Sequence, residues 1–225
     1  ARISMDAMKT SCQLIRQYDA RSAAAIRRTE GEADQYEDML GTYLVKLGSS
    51  DLTAQDSRTS AKILHIIGDF ERISDHAVNV VESAEEMKSK GLRFSPEASH
   101  EMHVMTGAVG EIMDLALTAF IHGDISAAKE VEPLEQVVDT LKEQLRSRHI
   151  LRLQEGKCGM EAGFVWADML TDLERIADHC SNIAGCVVQM QKSRLDIHGY
   201  LDGIRSGSDE YRQRYDFYAR KYALV

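Results

Sequence analysis

Asp69-Phe70-Glu71-Arg72-Ile73-Ser74-Asp75-His76-Ala77-Val78-Asn79 and Asp172-Leu173-Glu174-Arg175-Ile176-Ala177-Asp178-His179-Cys180-Ser181-Asn182 carry nearly the same polar residues at the same spacing, 103 positions apart. Elsewhere the two halves have drifted. A hydrophobic core needs only its apolar spacing kept, so a repeated Glu, Arg, Asp, His and Asn points beyond packing. On a helix, Ile63, Ile66, Phe70, Ile73, Ala77, Val80 and Val81 cover one arc. Asp69, Glu71, Arg72, Asp75, His76, Asn79 and Glu82 cover the other, which describes a core helix with one wet face.

Working outward, breakers divide each half into three helical segments. In the first half these run from about Ile3 to Tyr18, Ala20 to Leu47 and Ala54 to Lys90, with Asp19 placed to cap the second. Gly91 fits a helix C-cap, and Ser95-Pro96-Glu97 reads as cap, first helical residue and acidic first turn. The second half follows from about Glu97 to His122, Ile125 to Leu153 and Met160 to Lys192, with Asp124 matching Asp19. A shift of 105 aligns Glu30 with Glu135 and Asp34 with Asp139. Pro133 interrupts the fifth segment, where a kink or a late start is expected. The fold class is therefore all-α: two tandem antiparallel three-helix bundles related by duplication, residues 1–91 and 92–193, and a C-terminal helical extension, 194–225.

Two prolines, few aromatics and plentiful Ala, Met, Leu, Glu and Arg agree with helix. No apolar run approaches the roughly 20 residues that span a bilayer, which predicts a soluble piece. A formal net charge of −9 argues against nucleic acid, whose phosphates it would repel. Cys12, Cys158, Cys180 and Cys186 form no C-x-x-C pair and are expected to be free thiols of a reducing cytosol. The chain begins at Ala1 rather than Met, as the detached end of a longer protein would.

Glu30 and Asp34, Glu71 and Asp75, Glu135 and Asp139, and Glu174 and Asp178 are each four apart, one helical turn on one face. Like charges at that spacing cost a few tenths of a kcal/mol per pair. At 1.5 Å per residue, the pairs on the second and third helices of a bundle lie roughly 20 to 25 Å from their shared turn. Each bundle thus brings two carboxylate pairs to one level. Such clusters repel unless protonated or bridged, and oxygen donors suit iron, manganese, magnesium or zinc. A solvated acidic face is the plain alternative for any single pair. Asp69 with Arg72, and Asp172 with Arg175, have i, i+3 spacing and are expected to pair. His76 and His179 read as hydrogen-bonded boundary histidines, with a metal-ligand role as the alternative. His100 and His103 are spaced like a surface metal pair, with nothing else in support.

On these residues the chain resembles the PhoU family, named for phosphate-uptake regulation. The segment from Asp172 to Asn182 is similar to its most recognisable run, residues 69 to 80 match nearly as well, and the likeness covers about residues 3 to 192. The resemblance implies multinuclear metal clusters, iron or zinc, on the bundle surfaces. One would be held by Glu30, Asp34, Glu71 and Asp75, the other by Glu135, Asp139, Glu174 and Asp178. Asp69, Arg72, His76, Asn79, Asp172, Arg175, His179 and Asn182 would support them. It also implies a non-catalytic role in phosphate transport or signalling.

The tail from His198 through Tyr222 resembles the end of bacterial Na/Pi cotransporter-type proteins, which carry a PhoU-like domain after their membrane segments. The expectations that follow are a cytoplasmic domain at the inner membrane face, a transporter membrane segment or subunit as partner, inorganic phosphate bound through the metal, and a homodimer. Tyr211, Tyr215, Tyr218 and Tyr222 make a stripe at i, i+4, i+7 and i+11 that either packs back on the bundle or docks on a partner or an anionic membrane.

Two other functions compete. A metal-dependent phosphate-ester hydrolase would need a nucleophile or base in a pocket, and no such constellation is visible. A helical adapter would use the acidic face against a basic partner.

Overall fold

The caps build the architecture. Thr53 accepts from the Asp56 N–H at 3.1 Å, Ser95 from Ala98 at 3.2 Å ahead of Pro96, and Asp124 from Ser126 and Ala127 at 2.8 and 3.1 Å. Asp19 takes the Ser22 N–H at 2.8 Å, the counterpart of Asp124 one repeat earlier. The structure, a computed structural model, describes residues 1–48, 52–192 and 209–224. Among them are α1 (Arg2–Leu14), α2 (Ala20–Gly48), α3 (Ala54–Lys90), α4 (Pro96–His122), α5 (Ile125–Gln154), α6 (Met160–Lys192) and α7 (Asp209–Lys221), and no strand. The chain leaves α4 through Gly123 at φ 62°, where a Cβ would meet Gln191 Nε2 at 2.7 Å. That amide instead donates to the Gly123 carbonyl at 3.2 Å and ties the α4–α5 turn to α6.

Three expectations need correction. α1 stops at Leu14 rather than near Tyr18, because the Arg16 and Gln17 N–H groups both turn back to the Gln13 carbonyl at 3.1 Å. Tyr18 then leaves the helix to donate to Glu85 at 3.0 Å. α5 starts at Ile125, as its Asp124 cap dictates, and continues through Pro133, whose ring is buried between Val131 and Leu134. α4 is long and apolar enough to cross a membrane, one 18-residue window of it having a mean hydropathy of 1.5. Here those apolar side chains serve the core: Met105, Ala108, Val109, Ile112 and Ala116 are fully buried. Its charges are matched locally, Asp114 by Lys9 and Glu111 by Lys221.

α1, α2 and α3 pack together, as do α4, α5 and α6, and α3 against α6 is the most extensive helix pairing. One continuous core results, running from Met5, Met8 and Ile73 to Met113, Leu134 and Leu173. α7 lies along α5. Tyr218 is buried and donates to Glu130 at 3.0 Å, Arg214 pairs with the same carboxylate at 3.1 Å, and Tyr222 reaches the Gly107 carbonyl at 3.3 Å. The tyrosine stripe therefore packs back on the bundle. The earlier part of the tail, 194–208, lies outside the described residues. All four cysteines are free.

Candidate metal centre

The repeated motif sorts into two stripes on each third helix. Asp69, His76 and Asn79 sit at i, i+7 and i+10, and Glu71 and Asp75 fall roughly 100° further round. The first stripe faces the other repeat. The His76 Nδ1–H donates to Asp172 Oδ1 at 2.8 Å, joined there by Asn79 Nδ2 at 3.1 Å. Reciprocally, the His179 Nδ1–H donates to Asp69 Oδ1 at 2.9 Å, with Asn182 Nδ2 at 3.5 Å. The two imidazoles meet with centroids 5.7 Å apart. Numbers rise on α3 as they fall on α6, so the helices cross antiparallel. Exchanging the repeats maps each bond onto its counterpart, an isologous interface inside one chain.

This overturns the expected Asp69–Arg72 and Asp172–Arg175 pairs. Asp69 is only 4 % exposed and is occupied across the interface, while Arg72 and Arg175 are exposed, with no such ion pair among the described residues.

The second stripe builds the carboxylate sites. In the second repeat, α5 supplies Glu135 and Asp139 and α6 supplies Asp178, with one oxygen from each within 4.8 Å of the others. Burial, then Asp139 and three further carboxylates, push Glu135 up to about 7. Asp139 and Asp178 are raised by burial and then by Glu174. Glu174 itself receives Lys142 Nζ at 2.6 Å through one oxygen, while its other oxygen is buried without a hydrogen-bond donor. A buried orphaned carboxylate oxygen beside three converging carboxylates fits a cation.

The first repeat is looser. Glu71, raised to about 7 by burial and then by Asp75, shares a hydrogen bond with that neighbour. Burial, Asp75 and Asp34 raise Glu30, while Asp34 is exposed. These four face one another electrostatically, but among the described residues no triad forms as tight as the one in the second repeat.

Several participants escaped the sequence reading. Glu37 raises Glu71, and its counterpart one repeat later is Lys142, so one site gains an acid where the other gains a base. Glu132 adds to the field on Glu135 while accepting from Ser181 at 2.7 Å. Tyr211 of α7 is raised to about 12 by burial and then by Glu132 and Glu135, which places its ring beside the second site. Glu37 and Lys142 each lie three residues beyond a motif Asp, a signal the 105-residue shift contained.

Raised carboxylates fix the sign of a pH effect. Groups with folded pKa values above their unfolded ones stabilise the fold below about pH 4.5, and that stability is lost as pH rises through about 7. We expect the metal-free chain to lose Tm between pH 5 and 8, and Glu71→Gln with Glu135→Gln to flatten that slope in thermal melts. An equal slope in the variant would exclude these two groups as its cause.

The family model described as PhoU domain matches residues 1–84 and 102–187. The phosphate-specific transport system accessory protein PhoU homolog 1 of Thermotoga maritima is 27% identical over 147 residues, 65% of this chain and 62% of that protein. A putative inorganic phosphate export protein, YjbB, of Salmonella typhimurium is 21% identical over 188 residues, 83% of this chain and 35% of that one. The chain thus spans less than two thirds of the length of these relatives. The crystal structure of PhoU from Pseudomonas aeruginosa superposes with a TM-score of 0.79 at 23% identity, covering 85% of this chain and 91% of that one.

Proposed function

Because the chain belongs to the PhoU family, we propose that it is a non-catalytic regulator of phosphate transport that senses its ligand through metal held by the two carboxylate sites. The observation that carries this is the meeting of Glu135, Asp139 and Asp178 beside the orphaned oxygen of Glu174. On a merely solvated acidic face these groups would stand apart; here the part-buried Glu135 and Asp178 meet the exposed Asp139, and burial together with their neighbours' charge raises all three. The donors are all carboxylate oxygens, which suits iron or manganese better than zinc, whose sites usually include nitrogen or sulfur. Glu30, Asp34, Glu71 and Asp75 would hold the second cluster.

Bare carboxylates repel an anion, so inorganic phosphate would reach this surface by way of a bound cation. The partner we assign is a membrane-embedded phosphate transport segment or subunit, met at the inner face of the membrane. Support for an attachment in the same chain comes from the long phosphate export protein, of which this chain matches 35%.

Elemental analysis of the purified chain, followed by phosphate titration of loaded and metal-free protein in a calorimeter, tests the reading. Bound iron or manganese, with phosphate heat only in the loaded protein, is the expected result. A metal-free protein that cannot be loaded would overturn it, as would equal phosphate binding by both forms.

A further inference from the structure

A groove of about 950 Å³ lies where the end of α1, the last turns of α3, the α3–α4 connection and the first turns of α4 meet. Its rim carries Arg16, Lys88, Arg93, His100 and His103, and among the described residues no acidic one lines it. That is unusual on a chain of net charge −9. Several basic groups elsewhere face an acid, as Arg27 does Glu85, Lys142 Glu174 and Lys221 Glu111. The five rim side chains have no ion pair or side-chain hydrogen bond among the described residues.

Helix dipoles account for only part of this. A base near a helix C-terminus offsets its partial negative charge, which covers Lys88 in the last turn of α3 and Arg16 just past α1. His100 and His103 stand in the first two turns of α4, far from any C-terminus of that helix whose field would call for a base. The spacing that reads as a metal pair in the sequence thus places two imidazoles opposite two guanidinium groups and an ammonium. Such a set repels cations and donates to phosphoryl oxygens. Between these groups Met87, Leu92 and Phe94 offer part-exposed apolar surface, with Leu14 and Met102 buried behind it. The volume is at the upper end for small-molecule sites.

From this pairing of cationic rim and apolar, partly aromatic surface, we propose that the groove binds a nucleotide carrying two or more phosphoryl groups. The phosphoryl groups lie along Arg16, Lys88, Arg93, His100 and His103, and the base rests on the apolar surface beside Phe94. The site is separate from the carboxylate clusters and does not depend on metal.

Calorimetric titration of the whole chain, stripped of metal with a chelator so that phosphoryl groups are not drawn to the carboxylate sites, tests this with ATP, inorganic tripolyphosphate and adenosine. ATP is expected to bind at least tenfold more tightly than either of the others, and more weakly as salt rises. Arg16→Glu with Arg93→Glu is expected to weaken ATP at least tenfold. Arg146→Glu with Arg212→Glu, the same change of net charge on exposed sites of the second half and α7, should leave it unchanged. Circular dichroism checks folding, and Arg16→Gln with Arg93→Gln, a gentler change, should give an intermediate loss. No heat with ATP, ATP no tighter than tripolyphosphate or adenosine, or equal loss in the two glutamate pairs overturns the proposal.

Discussion

Glu135→Gln combined with Asp178→Asn is expected to halve the metal that the chain takes up, leaving the first repeat loaded and the second empty. Two of three converging donors become amides, which keep the shape but lose the charge that a cation needs. Loss of a mere supporting residue typically costs 10–100-fold in metal affinity, so loss of two direct donors should exceed that range. The same variant should melt at a higher temperature than the native chain when both are metal-free at pH 8. The reason is that Glu135, Asp139 and Asp178 repel one another in a partly buried site. The two effects have opposite signs, which separates them from simple misfolding. Unchanged metal content by elemental analysis would remove the second repeat from the metal reading.

Asp69→Ala should lower stability by about 2–3 kcal/mol, since it strands the His179 Nδ1–H in a largely buried part of the interface. For a chain of this size that is a fall in Tm of roughly 5–10 °C. Asp172→Ala, its image across the approximate two-fold, should cost about the same. A double-mutant cycle of Asp69→Ala with His179→Ala isolates the coupling, expected at about 1–2 kcal/mol. Arg72→Ala is the control: this exposed residue should change Tm by little. If Arg72→Ala proved as costly as Asp69→Ala, the motif would be working within its own helix and the crossed pairing would be wrong.

Helix positions were legible in the sequence because their signals are local. Asp19, Thr53, Ser95 and Asp124 announce starts, Gly91 and Gly123 announce stops, and the apolar period of 3.6 orients each core face. The carboxylate sites were half legible. The i, i+4 pairs name the acids on each helix, and equal distances from a shared turn bring two helices to one level. Neither rule says which oxygens converge, so the tight triad of the second repeat and the looser quartet of the first look alike in the sequence. The buried pair of Arg152 with Glu101 at 2.9 Å, and His149 stacked on Trp166 at 4.9 Å, left no readable sign because their partners come from three different helices.

The duplicated motif shows the division most clearly. Its spacing by itself determined that two equivalent helices exist and that each carries a polar face, since both follow from 100° per residue along a single rod. That Asp69 answers His179 rather than Arg72, while Glu71 and Asp75 turn toward α2, was decided only when α3 crossed α6. A side chain's nearest neighbour along its own helix is set by the chain, but its partner in a buried interface is set by which rods touch and at what register. Burial then selects the bond that leaves the fewest polar groups unmatched.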